Sequence, residues 1–334
     1  MRIIVTGGAG FIGSNLSKSL AEGGHTVLAL DSMSSYYSVD LKESRIHSLL
    51  SPVGVECKRI ALEDSFSVEK IFSDFLPETV IHLAAQPGVR LPLSKTGIYV
   101  RDNLDAFSSV LTNVIRQKIP NFLYASSSSI YGNESKLPYS EKEMNLSPVS
   151  FYGATKLCNE ILTRSLVAGS DTRARGLRLF TVYGPWGRPD MAYFKLAGLR
   201  LGSTNFTLNG DGSTLRDFTY IKDVTVMVEA LITELSTRTI GYCDVTNIGG
   251  GQPRSMDELI GLVLEQDRGK KSFEHKDRNP LDVVSTIADT KYQNELIKTL
   301  PSTKLEYGIE EFMRWAREKN ITHKLDSWIN SINP

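Results

Sequence analysis

The chain of 334 residues carries 38 Lys and Arg against 38 Asp and Glu, so its net charge is zero and no like-charge block offers a footing for nucleic acid or an anionic membrane. Its three cysteines, Cys57, Cys158 and Cys243, are odd in number and widely spaced, which argues against a disulfide framework or a zinc site and favours a reducing, cytoplasmic setting. The opening apolar run is too short for a signal peptide, and no stretch reaches the roughly 18 apolar residues of a membrane helix, so a soluble protein with a core able to support an active site is expected.

In chain order, short β-branched runs at residues 3–5, 26–30, 79–83, 122–125 and 176–180 read as buried strands, with helical patterns between most of them. Such alternation demands crossover connections, nearly always right-handed. The fold class expected is therefore α/β, a Rossmann-type doubly wound parallel sheet with helices on both faces. Beyond residue 180 the spacing becomes irregular: a loop over 183–189, a helical stretch from Asp190 and a turn at 209–212 point to a smaller, mixed C-terminal substrate lobe. Residues 243–248 again read as a strand, ahead of Gly249, Gly250 and Gly251 and a helix near 255–265. The expected division is a dinucleotide-binding domain over 1–180, to which 218–250 returns, and a second lobe over 181–334.

The first strand runs into Thr6-Gly7-Gly8-Ala9-Gly10-Phe11-Ile12-Gly13 and then a helical pattern. Gly7, Gly10 and Gly13 permit a tight turn, close backbone approach to a pyrophosphate and close helix-on-strand packing, with the helix N-terminus toward the anion. Phe11 and Ile12 open that helix and are expected to be further cofactor contacts. Asp31 ends the second strand, where a carboxylate accepts the adenine-ribose hydroxyls and repels a 2′-phosphate, predicting NAD over NADP. Its plain alternative is a turn or helix cap. Further on, Tyr152 and Lys156 stand four apart in Phe151-Tyr152-Gly153-Ala154-Thr155-Lys156, on one helical face. Many solvated helices share that spacing by chance, but this one follows the run Tyr124-Ala125-Ser126-Ser127-Ser128-Ser129-Ile130-Tyr131-Gly132.

Together, the Gly loop, His82-Leu83-Ala84-Ala85-Gln86, the serine run and the Tyr152/Lys156 pair resemble the extended short-chain dehydrogenases/reductases, from residue 1 to about residue 290. The most specific piece, Phe180-Thr181-Val182-Tyr183-Gly184-Pro185-Trp186-Gly187-Arg188-Pro189-Asp190-Met191-Ala192, is similar to the UDP-glucuronate 4-epimerases among them. The resemblance implies a retained NAD, with Tyr152 as general base, Lys156 as the cation that lowers its pKa, and Ser127 as hydrogen-bond partner of the reacting hydroxyl. A phenol with a pKa near 10 is a poor base at neutral pH; lowering it by about three units takes on the order of 4 kcal/mol, within reach of nearby positive charge in a dry site. The same resemblance places Leu62, Leu83, Ala84 and Ala85 on the cofactor, and Gly88, Val89, Arg90 and Ser128 on the substrate. It also implies a homodimer built from helices near 97–117 and 152–169.

For the sugar, relatives that dehydrate or decarboxylate carry acidic residues where Ser128 and Ser129 stand here. Without a carboxylate for the C5 proton, the simplest outcome of oxidation at C4 is reduction from the other face, an epimerisation. A uronate would need its carboxylate held still; Arg188 offers a planar fork and Thr181 stands where neutral-hexose enzymes have Asn, while an ordinary loop salt bridge is the alternative for Arg188. Arg216, in Arg216-Asp217-Phe218-Thr219-Tyr220-Ile221, resembles the diphosphate-binding arginine, and Asp282 a uridine-ribose ligand, with Arg278 or Asn279 assisting. Arg216 could instead pair with Asp217 or Asp223, and Asp282 could be a turn residue. The partner expected is thus a UDP-sugar, UDP-glucuronate favoured, with 4-epimerisation of another UDP-sugar, or dehydration or decarboxylation, as alternatives. Two departures stand out: Asn279-Pro280-Leu281-Asp282 replaces the usual Gln-Pro-Gly-Asp, and Ala61-Leu62 lacks the usual adenine-binding Asp.

Overall fold

The computed structural model describes residues 1–88, 92–267, 271–278, 282–298 and 302–332. Strands and helices alternate through the first half: β1 (Arg2–Thr6), α1 (Phe11–Glu22), β2 (Thr26–Asp31), α2 (Val39–Arg45), β3 (Glu56–Arg59), α3 (Ser65–Phe75), β4 (Thr79–His82), α4 (Thr96–Tyr99), α5 (Ala106–Arg116), β5 (Asn121–Ser127), α6 (Phe151–Val167) and β6 (Arg173–Leu179). The second half contains β7 (Thr181–Tyr183), α7 (Ala192–Leu201), β8 (Thr207–Asn209), β9 (Leu215–Tyr220), α8 (Ile221–Leu235), β10 (Cys243–Ile248) and β11 (Pro253–Ser255). It ends with α9 (Met256–Leu264), β12 (Glu274–Lys276), α10 (Lys291–Leu296), α11 (Leu305–Ala316) and α12 (Lys319–Asn330).

Seven strands form one parallel sheet in the order β10-β6-β5-β4-β1-β2-β3. Side chains alternate across a strand, so successive apolar residues fill two separate cores. Ile3, Val5, Ala29, Ile81, Leu123 and Leu177 pack on one face; Ile4, Leu28, Leu30, Val80, Phe122 and Tyr124 pack on the other. Burial on both faces is why these strands read as unbroken apolar runs. The edge strand β3, Glu-Cys-Lys-Arg, has no such signal and went unpredicted; its register against β2 makes it a strand. The helix expected over 97–117 is divided, with a π-helical stretch at Val100–Asp105 between α4 and α5.

From β1 the chain winds outward to β2 and β3, then crosses back to place β4 on the other side of β1. That reversal opens a crevice beyond the carboxyl ends of β1 and β4, where doubly wound sheets bind ligands. The second lobe hangs over it. Its three-stranded sheet, β11-β9-β7, and two-stranded sheet, β12-β8, pack with α7, α9, α11 and α12, around an aromatic cluster that includes Phe194, Phe312 and Trp315. Between the two lies β10, parallel to β6 at the sheet edge. Among the described residues no helix is long and apolar enough to cross a membrane.

Candidate active site

A cavity of about 730 Å³ occupies the crevice and is walled by both lobes. Its cofactor end is built on β1 and α1. A Cβ on Gly13 would collide with the carbonyl oxygen of Gly7, itself at φ +67, so the loop closes this tightly only with glycine. Helix α1 starts at Gly10 with no side-chain cap, leaving first-turn N–H groups directed to whatever anion enters. Gly7, Gly10, Phe11, Ile12 and Gly13 all face the cavity, as do Leu62, Leu83, Ala84 and Ala85. A cradle whose space any Cβ would fill fits a dinucleotide pyrophosphate.

Asp31 makes the capping contacts of its plain alternative and also stands at the cofactor end. Its Oδ1 accepts from Met33 N at 2.8 Å and its Oδ2 from Ala9 N at 3.1 Å, fixing the turn and the Gly loop, while the residue lines the cavity. Lys42, not anticipated from sequence, lies 3.6 Å from Asp31 Oδ1 and donates to Ser34 Oγ at 3.1 Å. A signal was present: Lys42 and Arg45 stand three apart on α2, on the face that buries Leu41. His82 accepts or donates to Thr6 Oγ1 at 2.9 Å; burial, and Lys156 nearby, push its pKa down to about 3, keeping it neutral.

The chemical centre lies where β5 meets α6. Ser150 caps α6 by accepting from Gly153 N at 3.1 Å, which sets the helix start so that Tyr152 and Lys156 both face the cavity. Lys156 Nζ donates to Ala125 O at 3.0 Å and lies 5.8 Å from the Tyr152 ring centroid. One turn on, Glu160 accepts from Arg178 at 3.0 and 2.8 Å and from Ser126 Oγ at 2.6 Å, and Arg178 reaches the Tyr131 hydroxyl at 2.9 Å. This buried network fastens α6 to β5 and β6, the strands beneath the site.

Burial raises the Tyr152 phenol above its ordinary pKa, and the two influences that pull it down are the Arg188 guanidinium and a hydrogen bond with Ser127. The charge of Lys156 stands beside the same ring, and burial pushes that ammonium down to about 8. A lysine depressed in this way is charged below that pH and loses its proton above it. Turnover is therefore expected to fall on the alkaline side with an apparent pKa of about 8, and Lys156→Arg, which stays charged, is expected to lack that limb up to about pH 10 at whatever residual rate it retains. A wild-type rate flat through this range would contradict the role of the ammonium.

At the end where the sequence leads us to expect the sugar, Ser127, Ser128, Thr181 and Gly88 line the same wall. Arg188 makes the loop salt bridge weighed above, with Nε 3.0 Å from Asp190 Oδ1 and Nη2 2.5 Å from Oδ2, yet it also lines the cavity and acts on the Tyr152 phenol. Burial works to raise the Asp190 carboxyl, but Arg188 holds it below the usual carboxylate range. Tyr36, also unanticipated, donates to Asp190 Oδ2 at 3.4 Å. Toward the far end, Arg216 faces the cavity with Arg278 and Asp282 and donates to Val283 O at 2.9 Å and Val284 O at 3.1 Å. Asp217 instead accepts from Gly250, Gly251 and Ala288 N–H groups, and Asp223 from Thr303. Val89, Arg90 and Asn279 lie outside the described residues. Among the described residues no cluster of side chains could hold a metal ion.

A cavity with a dinucleotide cradle at one end, a phenol and ammonium at its centre and arginines beyond is matched by the comparisons. The sequence profile of the NAD dependent epimerase/dehydratase family matches residues 3–249. UDP-glucuronate 4-epimerase 2 of Arabidopsis thaliana is 37% identical over 329 residues, covering 94% of this chain and 75% of the plant protein. A crystal structure of UDP-glucuronic acid 4-epimerase from Bacillus cereus, in complex with UDP-glucuronic acid and NAD, superposes with a TM-score of 0.84 at 31% identity, covering 94% of this chain and 98% of that one. UDP-glucose 4-epimerase of Thermotoga maritima with UDP-glucose gives 0.81 at 28% identity, over 95% and 99% of the two chains.

Proposed function

Since this chain belongs to the NAD dependent epimerase/dehydratase family, and is thus an NAD-dependent isomerase of nucleotide sugars, we propose that it is a UDP-glucuronate 4-epimerase interconverting UDP-glucuronate and UDP-galacturonate. The observation that carries this reading is Arg188, whose guanidinium stands in the cavity beside Tyr152, while the serine run places no carboxylate there. Tyr152 takes the proton from the sugar O4, with Ser127 bonded to the same oxygen, and returns a proton to it at the end. NAD, when bound, supplies the means of oxidising C4 and reducing it again. Arg188 and Thr181 hold the sugar carboxylate. A 4-keto uronate is a β-keto acid, and it keeps its carboxylate only if the C5–C6 bond is held away from the geometry that overlaps the ketone, which a planar guanidinium can do. Ser128 and Ser129 offer no base for the C5 proton, so elimination is not served.

A second reading, 4-epimerisation of a neutral UDP-sugar, is favoured by one observation: Asp190 already answers the charge of Arg188. A dehydratase or decarboxylase would have to recruit its acid from elsewhere. The proposal includes a homodimer paired through the helical stretches 97–117 and 152–169, supported by the exposed apolar side chains of Val100, Ile161 and Leu166, and a cytoplasmic setting, supported by three free cysteines. Incubation with UDP-glucuronate and no added NAD, followed by NMR of the sugar and measurement of released carbon dioxide, is expected to give UDP-galacturonate without gas. Turnover of UDP-glucose or UDP-N-acetylglucosamine alone would overturn the assignment.

A further inference from the structure

Arg45, at the end of α2, is fully buried, and among the described residues no carboxylate pairs with it. Its donors go to the backbone of two distant loops. Nε reaches Trp186 O at 2.9 Å and Nη2 reaches Gly187 O at 2.7 Å, while Nη1 reaches Ala9 O at 3.1 Å and the Tyr37 hydroxyl at 2.7 Å. Tyr37 also lies with its ring 5.4 Å from the guanidinium. Ala9 belongs to the Gly-rich cofactor loop; Trp186 and Gly187 directly precede Arg188. One planar fork therefore spans the dinucleotide cradle and the segment that carries the arginine at the sugar end.

That segment is one that needs holding. Trp186 has φ +63, a left-handed conformation that a bulky residue adopts only when its surroundings impose it. A Cβ at Gly187 would collide with the Tyr193 hydroxyl, so the chain is also pressed from its other side. A buried guanidinium is costly unless its donors are met, and here they are met by the carbonyls of the strained turn. Tyr36, from the loop that follows Asp31, makes a second tie by donating to Asp190, which grips Arg188.

We propose that Arg45 is a positioning residue for the sugar-acid site: by fastening Trp186 and Gly187 to the cofactor loop it aims Arg188, so that recognition of a charged sugar depends on the dinucleotide cradle being formed. The inference rests on the reading of Arg188 as the carboxylate-binding group. Lysine, a single point donor, cannot span both loops.

The test is a double-mutant cycle in holoenzyme carrying Tyr152→Phe, so that ligands bind without turnover, with affinities for UDP-glucuronate and UDP-glucose read by calorimetry. Arg45→Lys is expected to weaken UDP-glucuronate about tenfold and UDP-glucose less than about threefold, and to cost the uronate nothing further once Arg188→Ala is present, because residues acting through one another are not additive. Equal losses for the two sugars, or the same loss persisting beside Arg188→Ala, would overturn the proposal. If Arg45→Lys does not fold, Tyr37→Phe, which removes only the hydroxyl that receives Nη1, is carried through the same cycle; a selective loss of about threefold, absent beside Arg188→Ala, is expected, and a loss common to both sugars overturns it. Should Arg188→Ala alone weaken both sugars equally, the parent reading of Arg188 fails instead.

Discussion

Replacing Tyr152 by Phe is expected to lower turnover by at least about 10³-fold while NAD remains bound, since a positioned general base accounts for about 10² to 10⁴ of rate and its nearest described neighbours are poor substitutes. Lys156 is committed to Ala125 O, and His82 is neutral, buried and bonded to Thr6. Ser127 accepts from Ser129 N at 3.1 Å, which orients its oxygen but leaves it no base of its own. The Gly-loop cradle makes no use of the phenol oxygen, so loss of cofactor is not expected. Initial rates by NMR, together with NAD released on denaturing the purified variant, check both halves. A variant keeping more than about a hundredth of wild-type turnover would remove Tyr152 from the role of base.

Arg188→Ala carries the second large effect. It removes the fork assigned to the sugar carboxylate and, with it, a cation that lowers the Tyr152 phenol. Truncating one partner of a desolvated charge pair costs about 2 to 5 kcal/mol, equivalent to a fall in kcat/KM on UDP-glucuronate of about 30-fold to about 5,000-fold. Affinity for UDP-glucose should change far less. Two consequences distinguish this from simple damage. The acidic limb of the rate profile should move to higher pH, because a phenol with less positive charge beside it holds its proton longer. Part of the loss comes from leaving the half-buried Asp190 carboxylate without its arginine, so Arg188→Ala with Asp190→Asn should recover some stability without recovering uronate selectivity. Equal losses on both sugars in the single variant would argue for the plain salt bridge.

The parts of this fold that were legible in sequence are those whose physics is local. The apolar runs of β1, β2, β4 and β5 signalled strands buried on both faces because their neighbours in sequence supply both cores. β3 gave no such sign, since a polar edge strand is stabilised by its partner rather than by its own side chains. The break between α4 and α5 was likewise invisible. At the site, the residues named for the cofactor, the base and the sugar and described by the structure all face one cavity, but Lys42, Tyr36 and Arg45 escaped notice. Each lies in or next to a short helix whose pattern shows an inward face without showing what that face meets.

Read by itself, the amino-acid sequence determined the alternation of strand and helix, the glycine cradle with Asp31 beyond it, and the Tyr152/Lys156 pair on one helical face, because chain geometry within a few residues sets all of these. Only the tertiary structure decided which charges meet. It brought Arg45 to the backbone of both Ala9 and Gly187, set Arg188 between Asp190 and the phenol, and seated Lys156 on a carbonyl where burial weakens its hold on its proton. The reason is physical: the strength of a charge interaction depends on distance through space and on how much water has been excluded, and packing between remote segments sets both.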